Sequence, residues 1–443
     1  MSPRERAAQS GPAEKAGTGD GPPPPDAPAR AVMRCVKIWT PMLLLLVLVV
    51  AGVQLVRPLP DPALRTAADA SSYTFDGRFD IPWPAKGQAA VQAQGVGGLG
   101  TFGDPRPVPT ASVAKVMTAY LILQDHPLKK DEAGPEIEVD AKAVADGRAE
   151  DESRIEGLSV GARFSQLDML KMLMIPSGNN IARLLARWDT ASDSKAAFVK
   201  KMNDAAERLG MKDTVYTDPS GLDAKTVSTA VDQLKLAEAV MKLDAFRPVV
   251  ALPNATLKGL AAPLNNNNDN LLLSGLSVKG IKTGSSSAAG GALMWAAYKS
   301  VDDKTPLILG TMMDQHVDGP DHNAANSLAL VKENSKKVIK AVHNALTSAV
   351  AVRKGQTVGY VDDGLGGRTP LVATEDLRLI GIPGHRLALT LSDGGKTLPR
   401  SAKSGTRVGR LTLAGVADAP SVPVALEHDL ASPSLGSRLT RLA

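Results

Sequence analysis

The sequence predicts an α+β protein in which helices pack on an antiparallel sheet and a small β-rich C-terminal domain follows. The middle of the chain has helical periodicity, as in "FSQLDMLKMLM" (164–174) and "KAAFVKKMNDAAERLG" (195–210). Apolar, strand-like runs such as "GALMWAAYKS" (291–300) come after these helices. Beyond about residue 346, short alternating runs with Gly-containing turns take over, as in "AVAVRKGQTVGYV" (349–361).

Changes in composition divide the chain into five predicted segments. These are a disordered cytoplasmic tail (1–37), a transmembrane helix (38–56), a linker (57–85), a large α+β domain (86–345) and a β-rich C-terminal domain (346–443). The tail is rich in Pro, Gly and charged residues, and such a composition cannot bury a core. The linker opens with many Pro and Ala residues, which predicts a short, semi-flexible tether.

The run "IWTPMLLLLVLVVAGVQLV" (38–56) is long enough to cross a bilayer as a helix. Arg30, Arg34 and Lys37 precede it, which predicts a single-pass protein in the cell membrane with a cytoplasmic N-terminus and with the large α+β domain on the extracellular side. A cleaved signal peptide is the competing interpretation, because small residues follow at 67–70. The long tail and the absence of a small-x-small site directly after the run favour an uncleaved anchor.

Several classes of partner and cofactor are excluded by residue usage. The net charge is +5, but Lys and Arg are dispersed and aromatic residues make up 3%, so no nucleic-acid binding is predicted. Cys35 is the single cysteine, which excludes an intrachain disulfide and a cysteine zinc cluster. The six histidines lack metal-ligand spacing, so neither a metal nor a cofactor is predicted. The acidic pair Asp151 and Glu152 is interpreted as part of a solvated loop.

A predicted buried helix carries a serine and a lysine three residues apart, in "ASVAKVMTAY" (111–120). Residues i and i+3 share a helix face, so the Ser112 hydroxyl and the Lys115 amine can meet. Burial lowers the pKa of a lysine and can convert it into a base, which a serine needs in order to become a nucleophile. By itself the pair is weak evidence, since a capped helix whose lysine reaches solvent is the better explanation of an isolated Ser-x-x-Lys.

Together with two further motifs, the pair Ser112 and Lys115 becomes a specific signal of a protein class. Ser177, Gly178 and Asn179 lie in a predicted loop between two helices, and Lys282-Thr283-Gly284 ends the apolar strand "VKGIKTG" (278–284). Ser-x-x-Lys, a Ser-x-Asn triplet and Lys-Thr-Gly are the set that class A β-lactamases and penicillin-binding proteins share. With these motifs the chain resembles the low-molecular-mass penicillin-binding proteins, the serine-type D-alanyl-D-alanine carboxypeptidases.

The resemblance extends over the segments around the motifs. "FVKKMNDAAERLGMKDTVYTDPSGLD" (198–223) is similar to the family's stretch between its second and third motifs, and "NNNNDNLLLSGLSVKGIKTGSSSAAGGAL" (265–293) is similar to its approach to the Lys-Thr-Gly strand. The resemblance implies a DD-peptidase/β-lactamase-like serine peptidase domain over 86–345, followed by the family's β domain.

The resemblance also implies a role for each motif residue. Ser112 would attack the carbonyl of the penultimate D-alanine with Lys115 as base, and water would then hydrolyse the acyl-enzyme. Ser177 would relay the proton to the leaving amine, and Asn179 would hydrogen-bond both Lys115 and the substrate backbone. Lys282 and Thr283 would bind the terminal carboxylate beside Gly284. The backbone N–H groups of Ser112 and Ser285 would form the oxyanion hole.

The implied function is a membrane-anchored carboxypeptidase that removes the terminal D-alanine from peptidoglycan pentapeptide stems and is acylated by β-lactam antibiotics. The chain departs from the family's pattern in one respect. Family members usually help to hold the substrate carboxylate with an arginine, and the segment Thr311–Asn326 contains none. His316 and His322 in this segment are predicted to be surface residues. Two alternatives remain open. One is a catalytically weak peptidoglycan-binding scaffold, and the other is a β-lactamase-like hydrolase, although the chain lacks a Glu-x-x-x-Asn element around residues 207–221.

Overall fold

The structure is a computed structural model that describes residues 27–416 and 419–441. Its helices are α1 (Ala27–Val56), α2 (Lys115–Asp125), α3 (Ala141–Asp146), α4 (Gln166–Met174), α5 (Asn179–Thr190), α6 (Lys195–Arg208), α7 (Ala230–Val240), α8 (Phe246–Val250), α9 (Asp269–Leu272), α10 (Ala325–Ala345) and α11 (Leu435–Leu439). Its strands are β1 (Ala63–Thr66), β2 (Ser72–Thr74), β3 (Gln88–Ala93), β4 (Gly97–Phe102), β5 (Val108–Pro109), β6 (Glu136–Glu138), β7 (Arg163–Ser165), β8 (Val227–Ser228), β9 (Asn254–Ala255), β10 (Leu264–Asn265), β11 (Val278–Ser286), β12 (Gly290–Tyr298), β13 (Leu307–Gln315), β14 (Thr347–Val352), β15 (Thr357–Asp362), β16 (Arg368–Ala373), β17 (Leu377–Gly381), β18 (Arg386–Ser392), β19 (Arg407–Leu413) and β20 (Ser421–Leu426).

A five-stranded antiparallel sheet carries the α+β part of the fold, with strand order β11-β12-β13-β3-β4. Alternate residues of β12 pack into two different apolar clusters. Met294 joins the cluster that contains α2, α4 and α7, whereas Trp295 joins the cluster that contains α10. Because helices cover both faces, β12 is apolar at nearly every position instead of at every second one. The predicted packing of helices on an antiparallel sheet is confirmed.

The C-terminal β-rich part is a seven-stranded sheet of order β1-β15-β16-β20-β19-β18-β2, with β14 and β17 paired beside it. The first and last strands come from residues 57–85, so the prediction that this segment is a linker is wrong for these residues. Leu64 pairs with Val361 and Tyr73 with Leu387. Strands of four and three residues are too short to show an alternating pattern among Pro and Ala.

Pro62–Asp362 and Arg368–Ala431 form one compact unit, and residues 27–61, 363–367 and 432–441 form another. In the second unit, the stretch Cys35–Val56 of α1 has a mean hydropathy of 2.3 and is long and apolar enough to cross a membrane. Arg441 donates to the backbone carbonyls of Gln54 and Arg57, both at 2.9 Å, and these lie at the end of α1. Hydrogen bonds of this kind satisfy carbonyls that a helix end leaves without partners.

The predicted tail falls partly on residues 1–26, which lie outside the described residues. Residues 27–37 are helical and continue directly into the apolar run, so the prediction of disorder is wrong there. Their sequence, "APARAVMRCVK", contains Ala, Arg and Met, which favour a helix, and the adjoining apolar helix supplies the nucleus that a short peptide lacks.

Candidate active site

Ser112 lies in a 3-10 turn, Ala111–Ala114, that leads directly into α2. Lys115, the first residue of α2, is fully buried, and its Nζ lies 2.7 Å from Ser112 Oγ. The same Nζ donates to the backbone carbonyl of Ser220 at 2.9 Å. The structure therefore brings the hydroxyl and the amine of the first motif into direct contact.

The pKa of Lys115 lies well below its ordinary value. Burial is the largest cause, because the ammonium loses its hydration, and the positive charge of Lys282 lowers the pKa further. Asp218 and Glu152 act in the opposite direction, because their negative charges favour the ammonium. The net effect increases the neutral amine fraction, which is the form that can accept the Ser112 proton.

The turn Asp218-Pro219-Ser220-Gly221 holds Lys115 in this position. The Asp218 carboxylate accepts a hydrogen bond from the Ser220 backbone N–H at 3.1 Å, and Thr118 Oγ1 donates to the Pro219 carbonyl at 2.6 Å. Gly221 has φ +78° and packs against the Ala111 carbonyl. In the sequence, this turn was recognised only as part of a segment that resembles the family, and no role was predicted for it. A turn-forming Asp-Pro-Ser-Gly run was the available signal of its role.

Ser177 and Asn179 lie where α4 and α5 meet. Ser177 is buried with φ 73°, and within the described residues its Oγ has no hydrogen-bond partner. Asn179 begins α5, and its Nδ2 donates to Glu152 Oε2 at 2.7 Å, while its Oδ1 has no partner in the same part of the chain. Two buried polar atoms are therefore left available to a bound molecule.

The Lys-Thr-Gly strand is β11, the edge strand beside the 3-10 turn. A Cβ on Gly284 would lie 3.0 Å from Ser112 N and 2.9 Å from Thr110 O, so only glycine allows the strand to come this close. Thr283 is also buried, and Ser285 pairs with Gly291 of β12. An edge strand leaves every second N–H free of its one neighbour, and β11 packs against the turn that carries Ser112.

Lys282 is almost fully buried, and its Nζ donates to the Thr283 carbonyl at 3.0 Å. Desolvation lowers its pKa to about 7. A cation with so little hydration gains strongly from an anionic partner, which makes Lys282 suited to binding a carboxylate.

Glu152 is a site residue that sequence reasoning missed, and the interpretation of Asp151 and Glu152 as a solvated loop is wrong for Glu152. Its side chain is 6% exposed and contacts Arg183 as well as Asn179. Burial raises the pKa of Glu152, but hydrogen bonds from Arg183 and Asn179 outweigh burial and lower the pKa below its ordinary value. The basic partner lies 31 positions away in the sequence, so no local charge pattern revealed it.

Gly284→Ala is expected to lower the rate of Ser112 acylation about 10²-fold, the scale of a misplaced oxyanion donor. The added Cβ would meet backbone atoms of Thr110, Ser112 and Val113, and these cannot rotate away. The rate of labelling by a fluorescent penicillin measures the effect. Gly98→Ala is the control, because Gly98 also lies in a strand and has open space at its Cβ position. Equal labelling rates for the two variants would contradict this prediction.

The fold is that of solved D-alanyl-D-alanine carboxypeptidases and penicillin-binding proteins. A family model described as D-alanyl-D-alanine carboxypeptidase matches residues 104–317. Over these residues, which make up just under half of the chain, the protein is similar to the D-alanyl-D-alanine carboxypeptidase family.

Two curated relatives and one solved structure illustrate the likeness. The D-alanyl-D-alanine endopeptidase of Pseudomonas aeruginosa is 38% identical over 156 residues, which are 35% of this chain and 47% of the relative. The D-alanyl-D-alanine carboxypeptidase DacD of Escherichia coli is 29% identical over 255 residues, which are 56% and 60%. The match thus spans about half the length of these relatives. The crystal structure of DacD from Francisella tularensis has the same fold, with a TM-score of 0.56, 18% identity, and 81% and 96% of the chains covered.

Proposed function

We propose that this protein is a serine D-alanyl-D-alanine carboxypeptidase that acts on peptidoglycan stem peptides and is acylated at Ser112 by β-lactams. The observation that carries the proposal is the 2.7 Å contact between Ser112 Oγ and the buried Lys115 Nζ. In the proposed reaction Lys115 takes the Ser112 proton as Oγ attacks the carbonyl of the penultimate D-alanine. The peptide C–N bond breaks, and the departing amine of the terminal D-alanine takes up a proton by way of Ser177. Water then cleaves the ester and restores the Ser112 hydroxyl.

The remaining motif residues are assigned to binding. The N–H groups of Ser112 and Ser285 stabilise the oxyanion, in keeping with the close approach of β11 to the 3-10 turn at Gly284. Lys282 and Thr283 bind the terminal carboxylate. Asn179 binds the substrate backbone.

The test is release of free D-alanine by the full-length chain in detergent from a peptide that ends in Lys-D-Ala-D-Ala. Ser112→Ala is the control, since it removes the nucleophile and little volume. Release by the parent that is lost in the variant supports the proposal. If the folded parent releases no D-alanine, the carboxypeptidase proposal is overturned. Binding of a β-lactam without any hydrolysis of the peptide would then favour the scaffold alternative. Fast turnover of a penicillin by the parent would favour the β-lactamase-like alternative.

A dependence of KM on pH follows from Lys282, whose pKa is lowered to about 7. The ammonium attracts a carboxylate only while it is protonated, so its contribution is complete below that pKa and is lost as the pH rises above it. The KM for a peptide with a free terminal carboxylate is expected to rise about tenfold between about pH 6 and about pH 8. The matching peptide with a terminal amide serves as the control, and an equal rise for both would contradict the assignment of Lys282.

A D-alanyl-D-alanine endopeptidase activity is the second candidate. Two similar proteins named D-alanyl-D-alanine endopeptidase favour it, one from Pseudomonas aeruginosa at 38% identity and one from Escherichia coli at 30%. A cross-linked muropeptide dimer whose acceptor stem still ends in D-Ala-D-Ala distinguishes the two activities. A carboxypeptidase leaves the cross-link intact and releases D-alanine, whereas an endopeptidase yields two monomers.

We further propose that Cys35–Val56 anchors the protein in the cell membrane, with the active site on the extracellular side. The length and apolarity of this stretch support an anchor, and the basic residues before it support this orientation. Fractionation of cells that express the full chain, followed by protease treatment of intact spheroplasts, tests both parts. Recovery of the protein with its N-terminus removed would instead favour the signal-peptide interpretation.

A further inference from the structure

The Asp218 carboxylate is the centre of the turn that contacts Lys115. The residue is buried, with 7% of its surface exposed. Its Oδ2 accepts from Ser220 Oγ at 2.5 Å, from the Ser220 N–H at 3.1 Å and from the Leu222 N–H at 3.2 Å. Its Oδ1 accepts from Thr226 Oγ1 at 2.8 Å. These donors are all neutral, so the hydrogen bonds compensate for the burial of the carboxylate while its negative charge remains.

The turn is also fixed on the side of the active site. The Ser220 carbonyl accepts from Lys115 Nζ at 2.9 Å, while the N–H and the hydroxyl of Ser220 donate to Asp218. The next residue, Gly221, packs against the Ala111 carbonyl of the 3-10 turn. The Ser220 carbonyl consequently cannot rotate away from Lys115 unless Asp218 loses buried hydrogen bonds.

The Ser220 carbonyl determines how the Lys115 amine is oriented. A carbonyl oxygen only accepts hydrogen bonds, so an N–H of Lys115 must point to it. A neutral amine has one lone pair besides its N–H bonds, and rotation about the Cε–Nζ bond decides where this lone pair points. With an N–H held by Ser220, the lone pair is free to face Ser112 Oγ, which lies 2.7 Å away. Proton transfer from the serine requires this orientation.

We propose that Asp218 is a positioning residue, which fixes the Ser220 carbonyl as an acceptor for Lys115. The lone pair of the lysine is thereby directed at the Ser112 hydroxyl. This assignment rests on the proposed peptidase function, in which Lys115 is the base. It places control of the base outside the three motifs, in a carboxylate that acts through a neighbouring backbone carbonyl.

Asp218 also acts on Lys115 through its charge. Burial is the largest cause of the lowered Lys115 pKa, and the charged groups that act on it are Lys282, Asp218, Glu152 and Arg183. The two carboxylates raise this pKa, whereas Lys282 and Arg183 lower it. Loss of the Asp218 charge is therefore expected to lower the Lys115 pKa further. The low-pH limb of the acylation rate would then move to lower pH, a change that a purely structural role of Asp218 would not produce.

The experiment measures the rate constant of Ser112 acylation by an excess of fluorescent penicillin against pH, with the full-length chain in detergent. Asp218→Asn keeps the size of the side chain and one accepting oxygen, but it replaces the other oxygen by an NH₂ group and removes the charge. The Ser220 carbonyl is then held less firmly, so the maximal rate constant is expected to fall about tenfold. The low-pH limb is expected to move to lower pH. Because a rate constant does not depend on how much of the sample is folded, partial unfolding would not imitate either effect.

Asp223→Asn is the matched control. Asp223 lies in the same loop, and its carboxylate accepts from the Lys225 backbone N–H at 3.0 Å. It is therefore bound to Lys225 and not to the residue whose carbonyl contacts Lys115. Asn can accept the same backbone hydrogen bond, so the loop is kept. This variant is expected to keep the parental rate constant and the parental limb.

Ser220→Ala separates the hydrogen bonds from the charge. It removes the hydroxyl donor but keeps the Asp218 carboxylate and the backbone carbonyl of residue 220, so the limb is expected to stay at the parental pH. A parental maximal rate constant or a parental limb in Asp218→Asn would overturn the inference, as would a shifted limb in Ser220→Ala. Absence of D-alanine release from the folded parent would overturn the proposed function, and the assignment of Asp218 with it.

Discussion

Lys115→Met is expected to lower the rate of Ser112 acylation by about 10²–10⁴-fold, the range that a general base contributes. Met is close to Lys in length and fills the same buried space, but its thioether cannot take the Ser112 proton. The variant therefore removes the base without opening a cavity. The second-order rate of labelling by a fluorescent penicillin measures the loss, and a near-parental rate would show that another group deprotonates Ser112.

The same variant carries its own folding control. The folded-state pKa of Lys115 is lowered, so the unfolded chain binds more protons between that pKa and the ordinary value of 10.5. The free energy of unfolding therefore rises with pH between these two pKa values. Below the folded-state pKa, the buried amine destabilises the folded protein by its full amount. Lys115→Met removes this cost and is expected to unfold at a temperature at least as high as the parent near neutral pH. A lower melting temperature would point to a structural role of the amine.

Gly221→Ala is expected to have the largest effect on stability, about 2–5 kcal/mol, from backbone strain and overpacking together. Gly221 has φ +78°, and a Cβ there would lie 1.8 Å from the Ala111 carbonyl oxygen. Ala111 is the first residue of the turn that carries Ser112, so acylation is expected to fall as well. Denaturant unfolding and penicillin labelling of the same preparation give both values.

Gly210→Ala separates the two causes of this effect. Gly210 has φ +70°, so the same backbone strain applies, but nothing lies within 4 Å of the added Cβ. We expect this variant to lose about 1 kcal/mol and to keep the parental acylation rate. Equal losses of stability and of acylation rate in the two variants would contradict the role assigned to the contact with Ala111.

The sequence predicted the motif residues because their signals are local. Ser112 and Lys115 are one helical turn apart, and Lys282 to Ser285 are consecutive in one strand. Periodicity likewise predicted the helices and the sheet. The apolar run of β12 was predicted as a strand, and the packing of helices on both of its faces explains why the run does not alternate.

Residues that support the motifs were not predicted, because their partners are distant in sequence. Glu152 meets Arg183 only through the fold, and its acidic neighbours give it the character of a surface loop. Residues 63–66 and 72–74 could not be predicted as strands for the same reason, since such short strands are stabilised by partners in the last hundred residues of the chain. Neither interaction leaves a pattern within a window of ten or fifteen residues.

The pairing of β1 with β15 and of β2 with β18 has a consequence for the order of biosynthesis. Leu64 and Val361 are partners although they are roughly 300 residues apart, a separation that makes their pairing a late event. During synthesis, β1 and β2 therefore remain unpaired until the last part of the chain has been made. Until then their backbone N–H and C=O groups can pair with other strands. A chain released prematurely after β14 would keep its three motifs but leave two early strands without partners, which makes such fragments candidates for aggregation or proteolysis.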